Sequence, residues 1–386
     1  MSEVIPPSIA CMVLYKNERH HLQRIVPKIL EIFDQAIFVT NLEPSTDGSD
    51  ELLAEFGITP ARMQWVEDFS AARQFGLNLS TCDYTMWMDC DDDLVTGCAD
   101  WQEARTLVKE FLASSQSTFF MHRVYHEDRT DFWPRENWFH RRAKVRVKYP
   151  THEVYMCEGS FEEFPGGLVD RVNDSLVPDY SGKLWRYFDM LYGYVRDVDP
   201  DDARCRFFMA REFDGPPRAH VALYLDYFRA ARRPSSPLVF ADECWASYNL
   251  LELRPHTTPS ILEDNARVLL KRYPFEFMAH TLFALTFCET RPGLESANHL
   301  YHLLQHRLEF DRDPSPFTKG WYFDKALNCA GYYLHHISIE LRSLDLAKKS
   351  VEMLTLADNT HCSPDIADLV HTNRRAAELW LNSLAG

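Results

Sequence analysis

Ser8 to Thr40 reads SIACMVLYKNERHHLQRIVPKILEIFDQAIFVT, and this stretch decides the fold. Ser8 to Tyr15 is an apolar run of strand length. From Glu18 to Phe33 the apolar residues Leu22, Ile25, Val26, Ile29, Leu30 and Phe33 return at helical spacing, and Ala36 to Thr40 is again a buried-strand run. Working outward, Pro44-Ser45-Thr46-Asp47-Gly48 is a loop, followed by a short helix from Ser49 to Phe56 that begins on a good capping residue. A third strand fits Met63 to Val66, a helix Phe69 to Leu79, a strand ending in acid Tyr84 to Met88, and a helix Trp101 to Ser114. Strands alternating with helices of these lengths predict a mostly parallel, Rossmann-like sheet covered on both faces.

From Ser117 to Tyr149 the pattern changes. Two strand-like runs, STFFMHRVY and AKVRVKY, flank the aromatic-rich segment Phe132 to Phe139 and predict an antiparallel addition to the sheet. Beyond about Asp197, strand signals nearly vanish. Helical patterns run over Ala203 to Phe213, Arg218 to Arg232, Ala241 to Leu253, Ser260 to Lys271, Phe277 to Cys288, Leu294 to Leu308, Tyr322 to Ile339, Leu344 to Leu356 and Ile366 to Leu384. Breaks at Asp214-Gly215-Pro216-Pro217, Pro234 to Pro237 and Asp311 to Pro316 divide them into pairs, as in solenoids whose units cannot bury their faces alone. The expected organisation is an α/β domain over residues 1–190 and an all-α, helical-repeat domain over 191–386.

Bulk composition bounds the partners. The chain has 386 residues, 46% hydrophobic and 13% aromatic, enough for two or three cored domains. Met1 to Pro7 lacks a signal-peptide pattern and no apolar run reaches membrane-spanning length, so a cytoplasmic location without a membrane span is expected. Ten cysteines lie scattered without a CxxC pair, reading as reduced thiols, and the sequons at Asn78 and Asn173 then carry little weight. A formal charge of −16 argues against nucleic-acid binding through the whole surface.

The sharpest local feature is Trp87-Met88-Asp89-Cys90-Asp91-Asp92-Asp93, which sets four aspartates at the C-terminal end of a predicted buried strand. Open α/β sheets bind ligands at that edge, and crowded carboxylates call for a cation. A metal-diphosphate site is the natural reading. An EF-hand loop is disfavoured because Leu94 stands where that loop needs glycine; a solvated acidic turn capping the next helix is the bland alternative. Further on, Lys144, Arg146 and Lys148 share one face of a strand while Ala143, Val145 and Val147 share the other. Such a basic face suits a diphosphate or a polyanionic acceptor, or else protects an exposed edge strand. His152-Glu153 follows, as a metal ligand and a base or as groups satisfying local backbone.

In this order the motifs resemble the family 2 glycosyltransferases of GT-A fold, in the branch carrying TPR-like helices after the catalytic domain. Met12-Val13-Leu14-Tyr15-Lys16-Asn17-Glu18 is similar to that family's first strand and turn, and Ser45-Thr46-Asp47-Gly48-Ser49 to its STDGT loop. Asp68 to Leu77 resembles its DFSAARNFGL helix start. Tyr84 to Asp92 resembles its DWILWLDADD strand, with the DxD aspartates on Asp89 and Asp91. Trp138-Phe139-His140-Arg141 and Thr151-His152-Glu153 resemble its later RLFR and HE elements, and Asp199 to Phe213 the opening of a TPR-type helix pair. Two departures stand. Thr40-Asn41 replaces the aspartate that closes the second strand and reads the base, and the loop before Ser45 is about two residues longer, leaving the donor's base and sugar open.

The resemblance implies an EC 2.4, hexosyltransferase-like enzyme using a nucleoside-diphosphate sugar, UDP-sugar favoured, with Mn2+ or Mg2+. It implies donor contacts from Tyr15, Asn17, Glu18, Asn41, Asp68, Arg73, Asp89 and Arg141, with Arg142 a further candidate, and metal ligation by Asp89, Asp91 and His152. An inverting displacement needs a carboxylate base, with Glu153 first, then Asp92 and Asp179. The helical part is expected to select the acceptor (a peptide or protein, a saccharide or a hydroxylated nucleobase in DNA) or to form a homodimer. Its aromatics Tyr224, Tyr227, Trp245, Tyr248, Trp321 and Tyr322 read as core before ligand contacts. Two other classes are kept: a non-catalytic nucleotide-binding TPR-type adaptor, disfavoured by the intact acidic motif, and a metal-dependent phosphohydrolase, disfavoured by the lack of an HExxH motif.

Overall fold

The computed structural model describes residues 6–95, 100–115, 119–126, 132–141, 145–157, 161–170, 180–233, 240–310, 322–359 and 364–385. The chain divides into two units, Met1–Pro200 and Asp201–Gly386.

In the first unit, β1 (Ile9–Leu14) lies between β2 (Gln35–Asn41) and β4 (Tyr84–Met88), with β3 (Ala61–Met63) beyond β2, and all of these pairings are parallel. The sheet continues through β7 (Phe132–Arg141), β6 (Phe119–His126), β10 (Phe161–Asp170) and β5 (Asp92–Val95), in the order β3-β2-β1-β4-β7-β6-β10-β5. β7 is antiparallel to both β4 and β6.

Alternation along β1 explains the layers. Ile9, Cys11 and Val13 face one core with α1 (Arg19–Ile32), α2 (Ser49–Glu55) and α4 (Trp101–Ser114). Ala10 and Met12 face a second core with Leu77 of α3 (Phe69–Leu79), Val145 and Tyr155. α3 approaches the sheet closely at Gly76, where a Cβ would stand 2.7 Å from Met12 Cγ and 3.0 Å from Val39 Cγ2.

Three expectations are corrected. The aromatic segment read as a separator is itself β7, the strand that joins the parallel and antiparallel halves. The basic run forms β8 (Val145–Lys148), which leaves the main sheet and, among the described residues, pairs with β9 (Val154–Cys157) in a two-stranded sheet. Ser49 does not cap α2: the N-cap is Gly48, at φ +84°, and Asp47 Oδ1 accepts the Ser49 N–H. Lys144, Arg142 and Asp179 lie outside the described residues.

Four elements escape the sequence reading. β5 is four residues long and opens on two aspartates, which disguise a strand. β9 is short. β10 carries Pro165 and two glycines, and its register shifts between Glu163 and Gly167, a bulge that erases strand periodicity. α5 (Tyr180–Asp197) contains Gly182 and Gly193, which weaken its helical signal, but buries Met190, Leu191 and Val195.

The second unit is helical throughout its described residues. All nine segments read from periodicity are helices: α6 (Ala203–Glu212), α7 (Pro217–Ala231), α8 (Phe240–Glu252), α9 (Pro259–Arg272), α10 (Phe277–Thr290), α11 (Leu294–Phe310), α12 (Tyr322–Leu341), α13 (Leu344–Asn359) and α14 (Pro364–Ala385). Each packs on the next, and α8, α10, α12 and α14 also pack in succession, two helices apart. Tyr224, Tyr227 and Tyr248 are buried core residues, as expected of them.

Candidate functional site

Because β1 and β4 run parallel with Val13 opposite Met88, the turns leaving their C-terminal ends emerge side by side. The first turn is Lys16-Asn17-Glu18, with Asn17 in the left-handed region at φ +57°, which asparagine tolerates. It is fastened to the loop before α2. Asn17 Oδ1 accepts from Thr46 N at 2.8 Å, Ser49 Oγ accepts from Glu18 N at 2.9 Å, and Asp47 Oδ2 accepts from Arg19 N at 2.9 Å. Lys16 Nζ donates to the carbonyls of Glu43 and Pro44 at 2.7 and 2.8 Å. The longer loop before Ser45 is thus tied down by backbone and side-chain donors.

The second turn is the acidic one. Asp92 is fully buried, its Oδ2 accepting the Asp89 N–H at 2.9 Å while its own N–H donates to Asp89 O at 3.2 Å. From α1, Arg24 donates to the carbonyls of Cys90, Asp91 and Asp92 at 3.4, 3.0 and 3.3 Å. Arg73 of α3 donates through Nη2 to Asp89 Oδ1 at 2.9 Å and through Nε to Glu153 Oε1 at 2.8 Å. Burial opposes its charge, but Asp89 and Glu153 outweigh burial and keep Arg73 protonated.

Negative charge accumulates here. Glu18 has its carboxyl pushed up to about 7, first by burial and then by Asp91, Asp47 and Asp89. Asp47 and Asp50 are held below the usual carboxylate range: burial would raise both, but Ser49 and Arg19 donate to Asp47, and Arg62, Tyr15 and Ser45 donate to Asp50.

The remaining expected residues fall around this edge. Tyr15 is buried, its hydroxyl donating to Asp50 Oδ1 at 2.5 Å. Asn41 ends β2 and turns Oδ1 toward its neighbours' backbone, accepting from Leu42 N at 2.7 Å and Trp65 N at 3.3 Å. Asp68 caps α3, Oδ1 accepting from Ala71 N at 3.1 Å and Ser70 Oγ at 2.6 Å. Arg141 ends β7 opposite Tyr84. Tyr149 and His152 both adopt left-handed backbone, at φ +80° and +52°, and the loop between them leads into Glu153 beside Arg73. The His152 ring lies edge-on to Tyr187 of α5 at 5.9 Å.

Sequence reasoning missed Arg24 and the Asp50–Arg62 pair, in which Arg62 Nη2 meets Asp50 Oδ2 at 2.8 Å. Arg24 looks like an ordinary polar position on α1, and its acceptors lie 66 to 68 residues away. No local spacing betrays it.

Residues 11–162 match the family model described as glycosyl transferase family 2. The first unit contains a family 2 glycosyltransferase domain. The matched segment runs from β1 past β9 and includes both turns, Arg73 and Glu153. No curated protein matches the chain closely enough to be counted a relative. A family 2 domain implies glycosyl transfer from a nucleotide-sugar donor, and such domains generally use a divalent cation. Among the described residues no group of three His, Cys, Asp or Glu side chains is arranged to hold a metal. A donor set of few carboxylates still fits magnesium or manganese, because such ions take one or two carboxylates together with substrate phosphates. Burial first, and then Asp91, Asp47 and Asp89, raise the Glu18 carboxyl, so these acids lie near enough to one another for a cation to offset their charge. Among the described residues no helix is long and apolar enough to cross a membrane.

Proposed function

We propose that the family 2 domain transfers a hexose from a nucleoside-diphosphate sugar, a UDP-sugar being favoured, to an acceptor hydroxyl with inversion, and depends on Mg2+ or Mn2+. One observation carries this reading: Glu18 after β1, Asp47 in the loop before α2, and Asp89 and Asp91 after β4 are close enough for the three aspartates to add to burial in raising the Glu18 carboxyl to about 7. Carboxylates in this number suit a cation with a diphosphate better than an anion alone. Asp91 and Asp89 are the protein groups that would hold the cation. Once bound, it supplies charge stabilisation to the leaving diphosphate: at an effective dielectric of about 20, one opposite charge at about 4 Å is worth roughly 4 kcal/mol, on the order of a thousandfold in rate.

The chain's own residues supply the rest. Asn17 and Ser49 fix the turn after β1, Arg24 fixes the backbone of the acidic turn, and Tyr15 forms a wall braced by Asp50. Asn41, at the end of β2, takes the base-reading position. Glu153 is the carboxylate proposed to accept the acceptor's proton. The second unit, read as a TPR-like stack, offers the extended surface on which an acceptor peptide, saccharide or modified base would be selected.

The test is a panel of nucleoside-diphosphate sugars with Mn2+ or Mg2+, followed by thermal shift and diphosphate release. A donor at about 100 times its Kd adds about 2.7 kcal/mol, a shift of roughly 5 to 10 °C for a domain of this size. Stabilisation that needs metal and is lost in Asp91→Ala is the expected outcome. Donor binding indifferent to metal and to Asp91 would refute it.

A further inference from the structure

The resemblance implies that Arg73 contacts the nucleoside-diphosphate donor, and its surroundings leave little of it for that task. Arg73 is 6% exposed. Its Nε edge is taken by Glu153 Oε1 and its Nη2 by Asp89 Oδ1, at 2.8 and 2.9 Å. Its guanidinium lies 3.7 Å from the centroid of the Trp87 ring, and Trp87 stacks on Tyr155 at 5.4 Å and 12°. Nη1 is buried without a hydrogen-bond partner. Asp89 leaves β4 on the donor side, while Glu153 opens the run into β9, 64 residues later. Only a planar fork reaches both carboxylates at once.

We propose that Arg73 is a positioning residue that couples the donor's cation site to the acceptor-side carboxylate. Arg73 and a cation compete for Asp89, so whatever strengthens the Arg73–Asp89 contact weakens cation binding, and Glu153 sets that strength by holding the other edge of the guanidinium. Occupation of Asp89 leaves Glu153 as the anchor of Arg73, with Nη1 the donor available to follow the shift. Filling the donor site and placing Glu153 thereby become one adjustment. This inference rests on the transferase reading.

The experiment is a double-mutant cycle in Mn2+ affinity, measured by calorimetry without substrate and again with UDP, on the full chain: wild type, Arg73→Gln, Glu153→Gln and the double variant, with Arg73→Lys as a charged variant that cannot fork. Thermal melts accompany each, and the charge-balanced double variant keeps the cycle readable if Arg73→Gln alone is unstable, since Arg73→Lys then stands in for it. Arg73→Gln is expected to tighten Mn2+ binding. Glu153→Gln, which releases Arg73 onto Asp89, is expected to weaken it by on the order of five- to tenfold, and to have no effect once Arg73 is Gln. Equal effects of Glu153→Gln in both backgrounds would overturn the coupling. So would a tenfold or greater loss of UDP affinity in Arg73→Gln with Mn2+ affinity unchanged, which would return Arg73 to the diphosphate. Failure of the wild type to bind Mn2+ with or without UDP would instead overturn the transferase reading, and the inference with it, before any variant is compared.

Discussion

Replacing Asp92 separates two tasks that its position in the acidic motif confuses. Asp92 is one of the carboxylates that sequence offers as a base, yet it is fully buried and its Oδ2 accepts the Asp89 N–H at 2.9 Å. A carboxylate accepting from a backbone amide makes a charge-assisted hydrogen bond worth about 1.5 to 3 kcal/mol. Asp92→Asn keeps an acceptor of the same shape and is expected to cost about 1 kcal/mol, the difference between an ionic and a neutral bond. Asp92→Ala leaves the Asp89 amide without that acceptor and opens a small void, for about 3 kcal/mol in total. For a domain of about 200 residues these are falls in Tm of roughly 3 and 9 °C. The assay pairs urea and thermal unfolding with diphosphate release from the donor. Turnover in Asp92→Asn should stay within a few fold of wild type, since Asp89 remains fixed. If Asp92→Asn abolishes turnover while its unfolding midpoint is unchanged, Asp92 takes part in the chemistry and the structural role argued here is wrong.

Other perturbations follow from the same contacts. Asp242 of α8 has its carboxyl raised to about 6 by burial, which outweighs Arg204 and Arg211. A raised acid contributes its full stability below about pH 4 and loses it as pH rises through about 6, a window worth roughly 3 kcal/mol at most. Asp242→Asn should flatten that limb and be about 1 to 3 kcal/mol more stable than wild type at pH 8, as urea midpoints across pH 4.5 to 8 would show. Gly76→Ala drives a methyl group against Met12 and Val39 and should cost about 1 to 3 kcal/mol in thermal unfolding. Tyr15→Phe removes the donor to Asp50, which keeps Arg62 and Ser45; about 1 to 2 kcal/mol of stability should go while donor affinity by calorimetry changes little, whereas Tyr15→Ala should lose both.

The fold was legible where burial follows the chain's own period. β1, β2, β4, the helices α1 to α4 and all nine helices from Ala203 onward appear where periodicity puts them, because each turns an apolar face to a core, whereas β3 ends at Met63, where the pattern expects a strand to begin, and β5 carries no strand signal. Legibility failed between Phe132 and Asp197. β7 pairs with β4 and β6 through residues that alternate poorly, β10 is broken by its bulge, and α5 mixes aromatics with glycine, so their burial depends on partners distant in sequence. The displacement of β8 was illegible for the same reason. Val145 and Val147 declare an apolar face, but whether that face meets the main sheet's edge or α3 is decided by tertiary contacts, here by Gln74, whose Oε1 accepts from Val147 N at 3.0 Å.

The site divides along a different line. Motifs identify residue types, so the acidic turn, the Asn17 turn and the Asp68 start of α3 are legible in the sequence alone. They do not identify which charge answers which. The resemblance implies that Arg73 contacts the donor; it does not reveal that its fork closes on Asp89 and Glu153, 16 and 80 residues away. Arg24, whose task is to hold three carbonyls of the acidic turn, carries no motif at all. The arginines set how the carboxylates behave. Asp89 is answered by Arg73 and Asp50 by Arg62, while the Glu18 carboxyl is pushed toward neutrality by burial first and then by the acids around it. An edge built this way responds to a cation through the balance among fixed pairs more than through any single ligand, and for that reason a measurement of coupling between Arg73 and Glu153 tests more of the site than removal of either residue alone.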